Sequence, residues 1–217
     1  MIASRRRRLA FTVFALVAGL LVVGLGAGLA LHELDERNRP DKAKRLADTL
    51  GIGPGDTMAE IGAGDGQMAV LMARIVGPEG KVIATEVGEG QMEGIRSAAR
   101  SAGLANVIVL PAGERDSNLP ADCCDAVYMQ RVYHHLTDPA PVVASIGRAL
   151  KARGRLAILE FEPGWIINFT TPQGVPDRGG HGVPKPMLVQ EMKGYGFQPM
   201  GEVERFDSEL YLAVFRR

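Results

Sequence analysis

The sequence predicts an α/β fold on a mostly parallel sheet, preceded by a hydrophobic helix. Three observations carry this. From Thr57 onward, short apolar runs alternate with helical patterns of about ten to fifteen residues, the signature of βαβ units covered on both faces. The first apolar run ends in a glycine-dense turn that opens a helix. Ahead of both, residues 9–31 carry no charge at all.

The 217 residues hold 25 basic and 25 acidic side chains, a neutral total that hides an asymmetry. Arg5, Arg6, Arg7 and Arg8 precede residue 32 without any acid, leaving 21 basic against 25 acidic side chains beyond it, a net of −4. A basic leader on a mildly acidic body is a charge pattern associated with membrane contact. An apolar content of 46% excludes a disordered chain, and two cysteines exclude a disulfide scaffold. The body is long enough for one domain with a full core.

In chain order, the leader comes first. As a helix rising about 1.5 Å per residue, Leu9–Leu31 would reach about 35 Å, against a hydrocarbon core of about 30 Å. Two readings stand: a single-pass anchor or a cleaved signal with Gly28-Leu29-Ala30 as its small-residue site. Ser4-Arg5-Arg6 also resembles the start of a twin-arginine signal. The apolar run exceeds a usual signal core, which favours the anchor. The four leader arginines favour an inside N-terminus, but Arg37, Arg39, Lys42, Lys44 and Arg45 pull the other way, so the side of the membrane stays open.

Residues 32–40 are charged and aperiodic and read as a linker to a domain spanning 41–217. Asp41 is placed to cap a short helix through Leu50, with Ala43, Leu46, Ala47 and Leu50 on one face. Strands are expected at Thr57–Ile61, Lys81–Glu86, Asn106–Leu110, Asp125–Met129 and Arg155–Phe161, and helices at Gln67–Val76, Glu89–Ala102 and Pro141–Leu150. A Pro- and Gly-rich stretch over 163–186 is followed by a helix at Pro186–Tyr195 and two strand-like runs near 198–206 and 209–215.

Glu60-Ile61-Gly62-Ala63-Gly64-Asp65-Gly66 lies between the first strand and its helix. Glycines here let a ligand approach the backbone and the free amides of a helix N-terminus. A dinucleotide fingerprint would need glycine where Gln67 stands; instead glycines occupy every second position, with an acid two residues ahead. Glu86 closes the second strand, where a carboxylate can accept both hydroxyls of a ribose.

These residues resemble the class I S-adenosylmethionine-dependent methyltransferases. Glu60–Gly66 is similar to the family's first motif, E/D-x-G-x-G-x-G, and Glu86 to its ribose-binding acid. Leu119-Pro120 through Asp125-Ala126-Val127 resembles the lead-in to strand four, and Leu150–Leu156 the turn before strand five, with Ala152 and Arg153 where proline and glycine are usual. The resemblance spans about residues 41–215 and implies a Rossmann-like methyltransferase fold, a seven-stranded sheet with its last strand reversed. It implies S-adenosylmethionine as cofactor, with Gly62, Ala63, Gly64 and Gly66 along the methionine moiety, Glu60 orienting that loop and Glu86 on the ribose. Glu114, in preference to Asp116, would meet the adenine amine, and Gln130 at the end of strand four is counted with the cofactor residues.

Strand four runs into Tyr133-His134-His135, which in an open α/β sheet faces the ligand crevice. One histidine, or Tyr133, is a candidate to take a proton from the acceptor; the alternative is that the segment packs and fastens the loop. Cys123 and Cys124 are neighbours not expected to bridge, and His181 stands apart, so no metal site is expected. His181 falls either near the acceptor or in a surface turn. The acidic body and the absence of a basic–aromatic stripe argue against nucleic acid as substrate. Trp165, Ile166, Ile167 and Phe169 suggest an apolar cap over the site, which with the anchor points to a small or lipid-like acceptor. The competing readings are a cofactor-binding module without catalysis and, less favoured by Gln67, a nucleotide-dependent oxidoreductase.

Overall fold

The computed structural model describes residues 37–164 and 170–217. The leader span 9–31 and the apolar residues 165–169 therefore lie outside the described residues. Among the described residues, no helix is long and apolar enough to cross a membrane. The chain divides after Lys42, and the sheet lies in the unit Ala43–Arg217.

The first helix, α1, includes residues 37–50. It begins before Asp41, so Asp41 is not its N-cap and residues 37–40 are helical rather than linker. Apolar periodicity starts only at Ala43, because the preceding turn has no buried face to mark it; Ala43, Leu46, Ala47 and Leu50 are all buried.

Strands β1 (Thr57–Ile61), β2 (Lys81–Glu86), β3 (Val107–Pro111), β4 (Cys124–Gln130) and β5 (Leu150–Glu160) are parallel neighbours, and β8 (Tyr211–Arg216) runs antiparallel to β5. The order is β3-β2-β1-β4-β5-β8-β6, with β6 (Gln198–Pro199) and β7 (Glu204–Arg205) both pairing with β8. The sheet thus has eight strands where seven were expected. The run near 198–206 splits because Gly201, at φ 87°, turns the chain out of the ladder.

Helices α2 (Gln67–Val76), α3 (Glu89–Ser101), α4 (Pro139–Ala149) and α5 (Lys185–Gly194) cover the sheet. Side chains alternate across each strand. Met58, Val82, Ala84, Ala126 and Tyr128 join α1 and α2 in one core, while Ala59, Ile83, Val127 and Met129 join α4 and α5 in the other. Three boundaries moved for local reasons. Asn106 is withheld from β3 because its side-chain amide donates to the carbonyls of Ala73 and Gly77. β5 starts early, at Leu150, and bulges: Cys124 pairs with Leu150 but Ala126 with Arg155. α4 starts at Pro139, where the missing N–H costs no helical bond.

Leu46 is fully buried in the α1–α2 core, so Leu46→Ala should lower unfolding free energy by about 2–5 kcal/mol in a denaturant titration. Lys44→Ala, which breaks only an exposed ion pair with Asp48, should leave the midpoint unchanged within error.

Candidate functional site

The strand order reverses between β1 and β4. The chain leaving β1 enters α2 on one face, while the chain leaving β4 enters α4 on the other. A crevice therefore opens beyond their carboxyl ends, where ligands bind in open α/β sheets.

The glycine loop forms one wall. Gly62, Gly64 and Gly66 all have positive φ, at 69°, 53° and 73°. The amides of Gly62 and Ala63 donate to the Thr85 carbonyl at the end of β2, at 2.9 and 3.1 Å. At Gly62 no other residue fits: a Cβ there would stand 2.6 Å from a Val132 methyl. Val132 is set in place by Arg131, a non-glycine residue at φ 56° whose amide donates to the Leu159 carbonyl. Arg131 also pairs with Glu209.

The Glu86 carboxylate accepts the Gly64 amide at 3.0 Å and the Val87 amide at 2.8 Å, one on each oxygen. This ties β2 to the glycine loop and leaves each oxygen a second lone pair for a ligand hydroxyl. A cavity of about 630 Å³ is lined by Gly62, Glu86, Glu114, Asp116, Val132 and His135, among others. Asp116 is engaged by Arg148 at 2.9 Å and by the Asn118 amide, so Glu114 is the more available acid on that wall. The remaining expected cofactor residues do not line this cavity. Glu60 is buried beneath the loop on the Tyr128 side, where burial and then the Glu60 charge raise the Tyr128 hydroxyl pKa well above its ordinary value. Ala63 packs in the core, Gly64 and Gly66 shape the turn, and Gln130 sits half-buried at the end of β4.

A short 3-10 turn, Tyr133–His135, places Tyr133 in the core and brings the His134 and His135 rings to 4.1 Å between centroids. Tyr133 is fully buried; its hydroxyl donates to Glu191 at 2.6 Å, and burial followed by that carboxylate raises its pKa far above the ordinary value. Arg178 lies over the Tyr133 ring and pairs with the same Glu191 at 2.9 Å, fastening the 170–184 connection to α5. Tyr133 is therefore a structural pin and does not face the crevice. His134 turns inward, its Nδ1 2.8 Å from the fully buried Glu160 carboxylate. His135 alone of the three lines the cavity. Its pKa is lowered from the usual 6.5, first by burial and then by the neighbouring His134 and His181, so its imidazole is neutral at pH 7.

Two expectations are corrected here. His181 does not stand apart: its ring centroid is 4.8 Å from that of His134 and 6.2 Å from that of His135. Cys123 and Cys124 pair as a vicinal disulfide in the turn entering β4, the chain having reversed at Asp122 with φ 50°. Sequence reasoning missed Glu160 and Arg178. An acid closing the apolar run Leu156–Leu159 was the available signal for the first; nothing local marks the second.

The architecture is the Rossmann-like methyltransferase fold. Residues 59–158 match the model of the methyltransferase-domain family. The ubiquinone/menaquinone biosynthesis C-methyltransferase UbiE of Vibrio vulnificus is 30% identical over 115 residues, 52% of this chain and 44% of that protein. The Marinomonas protein of the same name is 30% identical over 112 residues, 51% of this chain and 45% of that protein. The chain thus spans less than half the length of these curated relatives. Among solved structures, a SAM-dependent methyltransferase from Aquifex aeolicus superposes with TM-score 0.70 at 22% identity, covering 85% of this chain and 95% of that one. Geranyl diphosphate methyltransferase, solved in complex with GPP and sinefungin, gives TM-score 0.66 at 18% identity, covering 82% of this chain and 78% of that one.

Gly62→Ala should test the wall directly. A left-handed conformation costs a non-glycine residue about 1–2 kcal/mol, and the Val132 clash adds to it. Cofactor affinity, measured by calorimetry, should fall by about tenfold or more while the far-ultraviolet circular dichroism stays that of the parent.

Proposed function

We propose that this chain transfers a methyl group from S-adenosylmethionine to a small, lipophilic acceptor. The observation that carries the reading is the position of Glu86, whose carboxylate braces the glycine loop while lining the cavity with Gly62 and Glu114. The residues suit the cofactor. The cavity lies within the range of small-molecule sites, about 300–1,000 Å³, and the glycine loop is held against Val132 at its wall, where a Cβ at position 62 would clash. Glu86 would hold the ribose hydroxyls, Glu114 the adenine amine, and the amides opening α2 the methionine end.

When bound, the cofactor supplies an electrophilic methyl on a positively charged sulfur. The chain's own part is to position, to exclude water and to meet the acceptor. Val132 and Leu136 give the crevice an apolar rim, and His135 presents a neutral imidazole to it. His134 does not itself line the cavity, its Nδ1 being tied to Glu160.

The lipophilic acceptor is supported by three things. The curated relatives are named for quinone biosynthesis, one structural neighbour was solved with geranyl diphosphate, and residues 9–31 read as an uncharged, membrane-length segment. A single-pass anchor that keeps the domain at a membrane surface belongs to the same proposal.

Glu86→Ala should weaken cofactor binding by about 10–100-fold, the loss expected for hydrogen bonds to a charged group, as read by calorimetric titration. His135→Ala should leave that affinity within about threefold and lower turnover by more than tenfold, roughly 1.4 kcal/mol or more in the barrier. The assay is transfer of a labelled methyl group into a lipid extract. Equal labelling of aqueous and lipid fractions would refute the lipophilic acceptor.

A further inference from the structure

The three histidines at the crevice do more than pack. His134 and His135 come from one 3-10 turn and His181 from the connection leading to α5. One ligand nitrogen from each lies within 4.8 Å of the other two. Nitrogens sharing one tetrahedral ion stand about 3.4 Å apart when each bond is about 2.0–2.1 Å, so modest ring rotations close the set. We propose that His134, His135 and His181 bind a divalent transition-metal ion of the zinc type at the wall of the cofactor cavity.

Two further features point the same way. Glu160, with no exposed surface, accepts from His134 Nδ1 at 2.8 and 3.0 Å. That fixes the tautomer and aims Nε2 outward, the carboxylate–histidine arrangement that orients metal-bound imidazoles. Thr170 Oγ1 contacts His181 Nδ1 and holds that ring in place. A purely structural cluster has no need for two rings each held by its δ nitrogen and converging on a third. Phe161 packs edge-on against both His134 and His181, at 4.9 and 5.4 Å between centroids, and limits their other rotamers.

The donor set selects the ion. Three imidazoles suit zinc, cobalt, nickel or ferrous iron, whereas magnesium and calcium take oxygen ligands. Three protein ligands leave a coordination position open. His135 lines the cavity, so that position faces the space that the methyltransferase reading gives to the acceptor. Resting on that reading, the open position is assigned to an oxygen of the acceptor, which the bound ion would hold and polarise as a Lewis acid.

The test is a titration of the full-length chain, free of any histidine tag, with Co2+ in the visible range. A single saturable set of d–d bands at one equivalent, displaced by Zn2+, is expected. Glu160→Gln should weaken Co2+ binding by about 10–100-fold. His181→Cys should add a sulfur-to-cobalt charge-transfer band in the near ultraviolet, a gain of signal that misfolding cannot produce. Absence of saturable binding by the parent chain would overturn the proposal, as would parent-like spectra and affinities in both variants. A parallel calorimetric titration with S-adenosylmethionine keeps the outcomes separate. Cofactor binding without cobalt binding refutes the metal site alone, while cobalt binding without cofactor binding refutes the methyltransferase reading and leaves the site standing.

Discussion

Every feature of the site depends on one packing constraint: β1 and β4 are parallel neighbours whose chains leave towards opposite faces of the sheet. Nothing can fill the gap beyond their ends without bending back across it. The loop after β1 and the turn after β4 must instead meet edge to edge, and they do so at Gly62 and Val132, where not even a methyl group fits between them. The glycine is needed for space as much as for its backbone angle. Arg131 takes a left-handed conformation that only a few per cent of non-glycine residues adopt, and this keeps Val132 at that contact.

Around this contact the buried polar groups divide into two sets with different tasks. Glu86 spends one lone pair per oxygen on the protein backbone, so it is fixed in direction while still able to accept from a ligand. Tyr133 and Arg178 both bond to Glu191 from segments distant in sequence, and they carry the chain that delivers His181. Removing one partner from such a buried set costs more than the set contributes as a whole, because the remaining charge is left unpaired. The arrangement therefore fixes where the connection before α5 can lie, and with it the third histidine.

The fold was largely legible because its signals are local. Strand β1 and helix α2 fall at the expected residues, since an apolar run ended by glycine leaves little choice. Glu86 and Gly62 were legible for the same reason: a motif of seven consecutive residues and an acid at the next strand end are patterns in one dimension. The errors have physical causes too. The first turn of α1 buries nothing and so shows no periodicity. The run near 198–206 reads as one strand until Gly201 is given its actual angle. His181 and Arg178 were not legible, because their places follow from long-range ion pairing rather than neighbours in the chain. Tyr133 looked like His135 in sequence, yet its hydroxyl is held in the core by Glu191 on α5, a partner 58 residues away that no local pattern shows.

The central claim is that the crevice between β1 and β4 holds S-adenosylmethionine. The most direct measurement is a calorimetric titration of the full-length chain with S-adenosylmethionine, with its demethylated product and with NAD. The account predicts saturable binding of the first two at one per chain and no heat of binding from NAD. Binding of NAD in preference to both, or binding of none of the three, would contradict it.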